Sequence, residues 1–288
     1  MTILNSAAQV LNCYLEDCTE LTVMDLVRRL GMPKSSASRL LRAMRDAGLL
    51  ENVGDSKRYR PSLMLVNVGR SYRRSSTLVK RADAVVERVS QACGHTGYVS
   101  KRDGDRVIAV TDHPGTNSLR VVSTIGRWLP AFASATGRSL LARLDNEAVL
   151  ALYPDGLPKA PSPTSPQDMA ELFARLDDIR AGGVSTSHDE ANRGVAAVAV
   201  AVGDGETGEE VSLCIVFPAA ASDPEERLVI AGSLREGAEE IAALARDLKF
   251  VPVPSPGIPS SSRETSFSPR EASSSSGGVA ASSRGVAA

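Results

Sequence analysis

The sequence predicts an α+β chain with two folded domains, on three observations. Three helical periodicities fill the first fifty residues and lead into a basic hairpin, alternating strands mixed with helices begin at Gly97, and apolar patterning stops after Phe250. At about 150 residues per domain, 288 residues suit two cores rather than one. A chain that is 42% hydrophobic and 23% charged has the composition of a globular protein, which excludes global disorder.

Val10, Leu11, Tyr14 and Leu15 form a helical stripe within residues 2–17. Thr22 is placed to cap a second helix, in which Val23, Leu26, Val27 and Leu30 share a face and which Gly31 ends. Pro33 suits the first turn of a third helix; its Ala37, Leu40, Leu41 and Met44 repeat at helical spacing until Gly48. Strand-like arms at 49–53 and 57–61 flank Gly54, Asp55 and Ser56, making a small hairpin. Residues 63–89 read as one helical linker. Strands are expected at 98–102, 106–111 and 120–125, and helices at 135–144, 146–152 and 167–181, interrupted by the proline-rich 154–166. Strands return at 184–187, 195–202 and 210–217 before a last helix over 224–248. In 251–288, Ser, Pro and Gly hold 21 of 38 positions, so this tail is expected to be disordered.

The net charge of −1 conceals +6 over residues 1–80 and −8 over 81–250. A basic first quarter beside an acidic remainder suggests that one domain meets a polyanion and the other does not. No run approaches about 18 apolar residues and the start lacks a basic segment followed by an apolar one, so neither a membrane span nor a signal peptide is expected and the chain reads as cytoplasmic. Cys13, Cys18, Cys93 and Cys214 are too scattered for a disulfide framework or a zinc knuckle and read as reduced thiols.

On a helical wheel the third helix separates its apolar face from Ser35, Arg39 and Arg42. Hydroxyls and forked guanidinium donors suit phosphates and guanine edges, so this face is expected in a major groove. With the preceding helix and the basic hairpin it makes a winged helix-turn-helix over residues 1–62, joined by the linker at 63–89 to a second domain over 90–250. The residues expected to meet double-stranded DNA are Thr22, Lys34, Ser35, Ser36, Ser38, Arg39 and Arg42, with Lys57, Arg58 and Arg60 on the wing.

The segment LTVMDLVRRLGMPKSSASRLL at 21–41 resembles the DNA-binding signature of the IclR family of bacterial transcriptional regulators. IGR at 125–127 with ASATGRSLLA at 133–142, and GGVSTSHDEANRGVAAVAV at 182–200, are similar to the two effector-domain motifs of that family. The resemblance covers about residues 5–248. It implies a GAF-like effector-binding domain, a small-molecule metabolite as effector, assembly as homodimers or homotetramers, and no cofactor. Carried over by motif, the effector pocket would be lined by Ala135, Thr136 and Gly137, by Asp189 or Glu190, and by Val200, Cys214 and Val216. The late strand, VSLCIVFP at 211–218, departs from the family in having fewer hydroxyls and a bulky Phe217, which implies a more apolar or smaller pocket.

Other motifs point elsewhere. Residues 203–208 fit G-x-G-x-x-G, but a strand rather than a helix follows and nearby carboxylates would repel a pyrophosphate, so they read as a hairpin turn. Cys93 and His95 lack enough sequence neighbours for a tetrahedral metal site. His113 and His188 read as surface or loop residues. The rival to a regulator is a small hydrolase using Asp189, Glu190 and His188, although no G-x-S-x-G elbow accompanies them.

Overall fold

The computed structural model describes residues 2–15, 18–121, 126, 128–221 and 223–250. The tail expected to be disordered lies outside the described residues, as do four of the six positions in the strand expected at 120–125; Arg120 and Val121 are not in a strand.

Helices α1 (Ile3–Cys13), α2 (Val23–Leu30) and α3 (Lys34–Asp46) precede the hairpin of β1 (Leu50–Asn52) and β2 (Tyr59–Pro61). Thr22 and Asp25 form a reciprocal capping box on α2, and Gly31 ends it at φ +63°, a conformation that glycine adopts without Cβ strain. Pro33 stands at the N-cap of α3, just before its first turn. Val10, Leu21, Leu26, Leu40, Leu41 and Tyr59 close a small core between helices and hairpin.

The helical run expected over 63–89 is two helices, α4 (Leu63–Ser75) and α5 (Thr77–Cys93). Ser76 is extended at φ −91°, ψ 118°, and its hydroxyl accepts a bond from the Val79 amide, so it caps α5 instead of continuing α4. The two helices differ in burial. No residue of α4 is buried, whereas α5 buries Leu78, Val79, Ala82, Val85, Val86 and Val89.

The second domain is built on β3 (Thr96–Asp103), β4 (Arg106–His113), β5 (Trp128–Pro130), β6 (Ser185–His188), β7 (Val195–Gly203) and β8 (Glu210–Pro218). They form one antiparallel sheet in the order β5-β4-β3-β8-β7-β6. Its remaining helices are α6 (Ala135–Leu141), α7 (Asn146–Leu152), α8 (Met169–Gly182) and α9 (Pro224–Ala245). Strand alternation sends Val198, Val200, Leu213, Ile215 and Phe217 to the face covered by α5 and α9. Ala197, Ala199, Cys214 and Val216 go to the opposite face with Tyr98 and Ala135. A further cluster joins Phe132 and Leu140 to Val149, Leu172 and Leu176, with the Phe132 and Tyr153 rings edge to face at 6.1 Å. The G-x-G-x-x-G segment is the β7–β8 turn: the ladder runs to Gly203 opposite Glu210, and Asp204 accepts from the amides of Glu206 and Thr207.

Candidate functional site

The first candidate surface is cationic. On α3, burial of Ala37, Leu40, Leu41 and Met44 leaves Lys34, Ser35, Arg39 and Arg42 exposed. Ser36 and Ser38 are half-buried, and Ser38 accepts from Arg42 Nη2 at 3.0 Å. Lys34 and Arg39 have no partner among the described residues, so their charge is open to a ligand. On the wing, Arg60 pairs with Glu51 directly across the hairpin at 2.6 Å, and Arg58 pairs with Glu20 at 3.0 Å. Lys57, next to Arg58 on the wing, is exposed and without a partner among the described residues. Thr22 has a structural role: its hydroxyl donates to Asp25 Oδ2 at 2.7 Å and accepts from the Asp25 amide. The hydroxyl bond and the Thr22 amide, which donates to the same carboxylate oxygen at 2.8 Å, hold the Asp25 carboxyl below its ordinary value, aided by Arg28 and Arg29. The sequence reading missed Arg45, whose guanidinium reaches Asn52 at 3.4 Å and ties α3 to the wing. Its spacing of three from Arg42 was the available signal.

The second candidate is a cavity of about 150 Å³ on the sheet face opposite α5 and α9. Four of the eight residues carried over by motif line it: Ala135, Thr136, Cys214 and Val216. The other four do not. Val200 pairs with Leu213 and shares its face, packing against α5 and α9, so alternation places it on the wrong side of the sheet. Gly137 faces the loop before α6, where a Cβ would overlap the Ala131 backbone, so its missing side chain serves helix packing. Asp189, in a left-handed turn at φ +56°, accepts from the Gly194 amide and lies 3.2 Å from His188 Nδ1. Glu190 is buried between Arg138 and Arg175. Phe217 also lies on the far face, against the His95 ring at 5.4 Å, and does not narrow the cavity. His113, read as a surface or loop residue, is half-buried at the end of β4 and reaches Asp83 of α5 at 2.8 Å.

Sequence reasoning missed Tyr98, Ser100, Ser134, Ser187 and Asn192, the polar part of the described lining other than Thr136, and apolar walls such as Val107, Leu129 and Ala197. Alternation could have found several of them, since Ala197 pairs with Val216, and Tyr98 with Cys214. Burial pushes the Cys214 thiol up to about 12.

Two charged networks lie outside the lining of this cavity. Arg138 forms a two-pronged pair with Glu190 and donates to the carbonyls of Phe132 and Thr186 at 2.9 and 2.6 Å. Arg175 donates to Glu190 at 2.9 Å and to the Thr164 carbonyl at 2.8 Å, fixing the segment after β6 to α6 and α8. At the linker, Glu209 accepts from both Ser76 and Lys101, and Lys101 Nζ stands 5.2 Å from the Tyr72 ring centroid of α4. Lys101 is the neighbour on β3 of Ser100, which lines the cavity.

A winged helix with a free cationic recognition face, joined through a helical linker to an α+β domain, is the architecture of a DNA-binding transcriptional regulator. The IclR helix-turn-helix profile matches residues 6–54 and the profile of the bacterial transcriptional regulator IclR C-terminal domain matches 70–243. The chain belongs to the IclR family. It is 26% identical over 224 residues to the HTH-type transcriptional regulator KdgR of Escherichia coli, covering 78% of this chain and 85% of KdgR. It is 27% identical over 223 residues to the HTH-type transcriptional repressor AllR of Klebsiella pneumoniae, covering 77% of this chain and 81% of AllR. A regulator from Alicyclobacillus acidocaldarius has the same fold, with a TM-score of 0.76 and 26% identity over 84% of this chain and 98% of that one. These curated relatives are transcriptional regulators rather than enzymes. Among the described residues, no helix is long and apolar enough to cross a membrane.

Proposed function

We propose that the protein binds an operator through α3 and the wing, and that a small metabolite in the sheet cavity modulates that binding. The observation that carries this reading is a free cationic recognition face in the same chain as a lined internal cavity. Ser35, Arg39 and Arg42 would read base edges, while Lys34, Ser36, Ser38, Lys57, Arg58 and Arg60 would hold phosphates. Arg58 and Arg60 would exchange Glu20 and Glu51 for phosphate at little cost, because exposed ion pairs contribute only about 0–1 kcal/mol. Repression is the direction favoured by the likeness to AllR. Action on chromosomal DNA implies a cytoplasmic protein.

The effector would act by population shift, favouring one direction of α4 over another. The Ser76–Glu209–Lys101–Tyr72 contacts supply a route, since β3 carries Ser100 at the cavity and Lys101 at the linker. Packing of α5 into the sheet core supports ending the linker at Ser75 and counting α5 with the effector domain. Exposed Leu63, Val66, Val68 and Tyr72 on α4 support a homodimer or homotetramer with an interface along that helix.

Fluorescence anisotropy of the full chain with a duplex from upstream of its own gene tests the DNA reading. The expected result is at least a hundredfold preference over a scrambled duplex at about 0.15 M salt, with log affinity falling steeply against log salt. Equal affinity for both duplexes, or a flat salt plot, would overturn it.

A further inference from the structure

We infer that the cavity takes a neutral, ring-sized molecule carrying a hydrogen-bonding group, in preference to a carboxylate of the same shape. This rests on the effector reading above and narrows it to a ligand class. The volume of about 150 Å³ matches that of a cavity that holds one benzene ring. Val107, Val121, Leu129, Val195, Ala197 and Val216 supply apolar walls. Two hydroxyls point to a ligand with polar atoms: Ser100 and Thr136 are only 4% and 8% exposed, line the cavity, and have no side-chain partner among the described residues. Thr136 lies in the first turn of α6 and Ser100 beside the β-bulge of β3, so the two hydroxyls approach from different elements.

Charge is what the described lining lacks. No Arg, Lys, His, Asp or Glu side chain among the described residues faces this cavity. The buried guanidinium of α6, Arg138, is engaged by Glu190 and two carbonyls and lines a separate cavity. A carboxylate entering between these walls would give up its hydration without gaining a cation from any described residue of the lining, whereas a neutral amide or alcohol would lose far less and still meet both hydroxyls.

Benzamide and benzoate share a planar shape and differ in charge, so titration of the full chain with each, followed by calorimetry and ligand-observed NMR, tests the inference. Benzamide is expected to bind at least tenfold more tightly. The nearly isosteric Thr136→Val is expected to weaken benzamide at least fivefold with an unchanged melting temperature, and Ser100→Ala to do likewise. Benzoate binding as tightly as benzamide, no binding of either at about 10 mM, or indifference of benzamide to both substitutions would each overturn it. Duplex affinity measured in the same samples separates the two proposals: benzamide bound through Thr136 and Ser100 without any effect on DNA would uphold the ligand class and count against the effector reading.

Discussion

The winged helix and the effector domain place charge in opposite ways. In the first, ion pairs lie at the surface, as in Arg28–Asp25 and Arg58–Glu20, and Lys34, Arg39 and Lys57 have no protein partner among the described residues. In the second, Arg138–Glu190 and Arg143–Asp247 have side chains no more than 8% exposed, and the described residues that line the sheet cavity are uncharged. Water and salt screen the first set, so it adds little to stability and remains available to a polyanion. The second set is desolvated, so its partners hold each other and the architecture depends on both.

Breaking a buried pair should therefore have the largest effect. Glu190→Ala leaves Arg138 desolvated without its carboxylate and is expected to cost about 3–5 kcal/mol in chemical denaturation. Arg39→Ala should change stability by less than about 0.5 kcal/mol. Similar costs for the two substitutions would erase the distinction between the regions.

The next effect concerns DNA. Arg39→Ala is expected to weaken specific binding by about 1–3 kcal/mol and to relax sequence choice, while Lys57→Ala weakens all duplexes about equally and lowers the salt slope by about one. Anisotropy on specific and scrambled duplexes reads both. An unchanged specificity ratio in the Arg39 variant would make that side chain a phosphate contact.

The two regions also differed in how far their sequences disclosed them. The winged helix was legible almost residue by residue, because capping, helical period and a hairpin turn are local signals: Thr22, Gly31 and Gly48 stand at or just beyond the helix ends, as the spacing required. The cavity depends on which side of a sheet each residue faces and on what the loops do between strands. Cys214 and Val216 were found, but Val200 belongs to the opposite parity of β7, and strict alternation would have replaced it with Ala197. Glu190 was expected in the pocket lining, yet it is taken up by two arginines that come from positions 52 and 15 residues away. The linker break was encoded locally, in three cap-forming residues, Ser75, Ser76 and Thr77, but was masked by the apolar periodicity on either side.

A smaller effect is expected at the Thr22 cap. Thr22→Ala should destabilise the winged helix by about 1 kcal/mol, with DNA affinity falling only as far as folding does. Its signature lies in acid. The Asp25 carboxyl titrates below its unfolded value, so its contribution is complete above about pH 4 and is lost as pH falls through the lower folded value. The variant should have a flatter acid limb in a melting-temperature profile between about pH 5 and 2. A parallel downward shift of the whole profile would mean that the hydroxyl does not act through Asp25.

The smallest effect changes no stability at all and compares the two regions through their thiols. Cys18 is half-buried against the core of the winged helix, whereas Cys214 is buried in the lining of the cavity and Cys93 is buried at the end of α5. Burial pushes Cys93 up to about 11 and Cys214 up to about 12. At pH 8 the Cys214 thiol is therefore held in its protonated, unreactive form, and the reagent must also enter the cavity. Iodoacetamide on the native protein should modify Cys18 first and leave Cys214 intact, while all four cysteines react in denaturant. Peptide mapping by mass spectrometry reads the order. Native labelling of Cys214 at a rate near that of Cys18 would mean that the sheet face opens to water on the timescale of the reaction. The uncharged lining would then be wetted, and the desolvation that separates benzamide from benzoate would weaken with it.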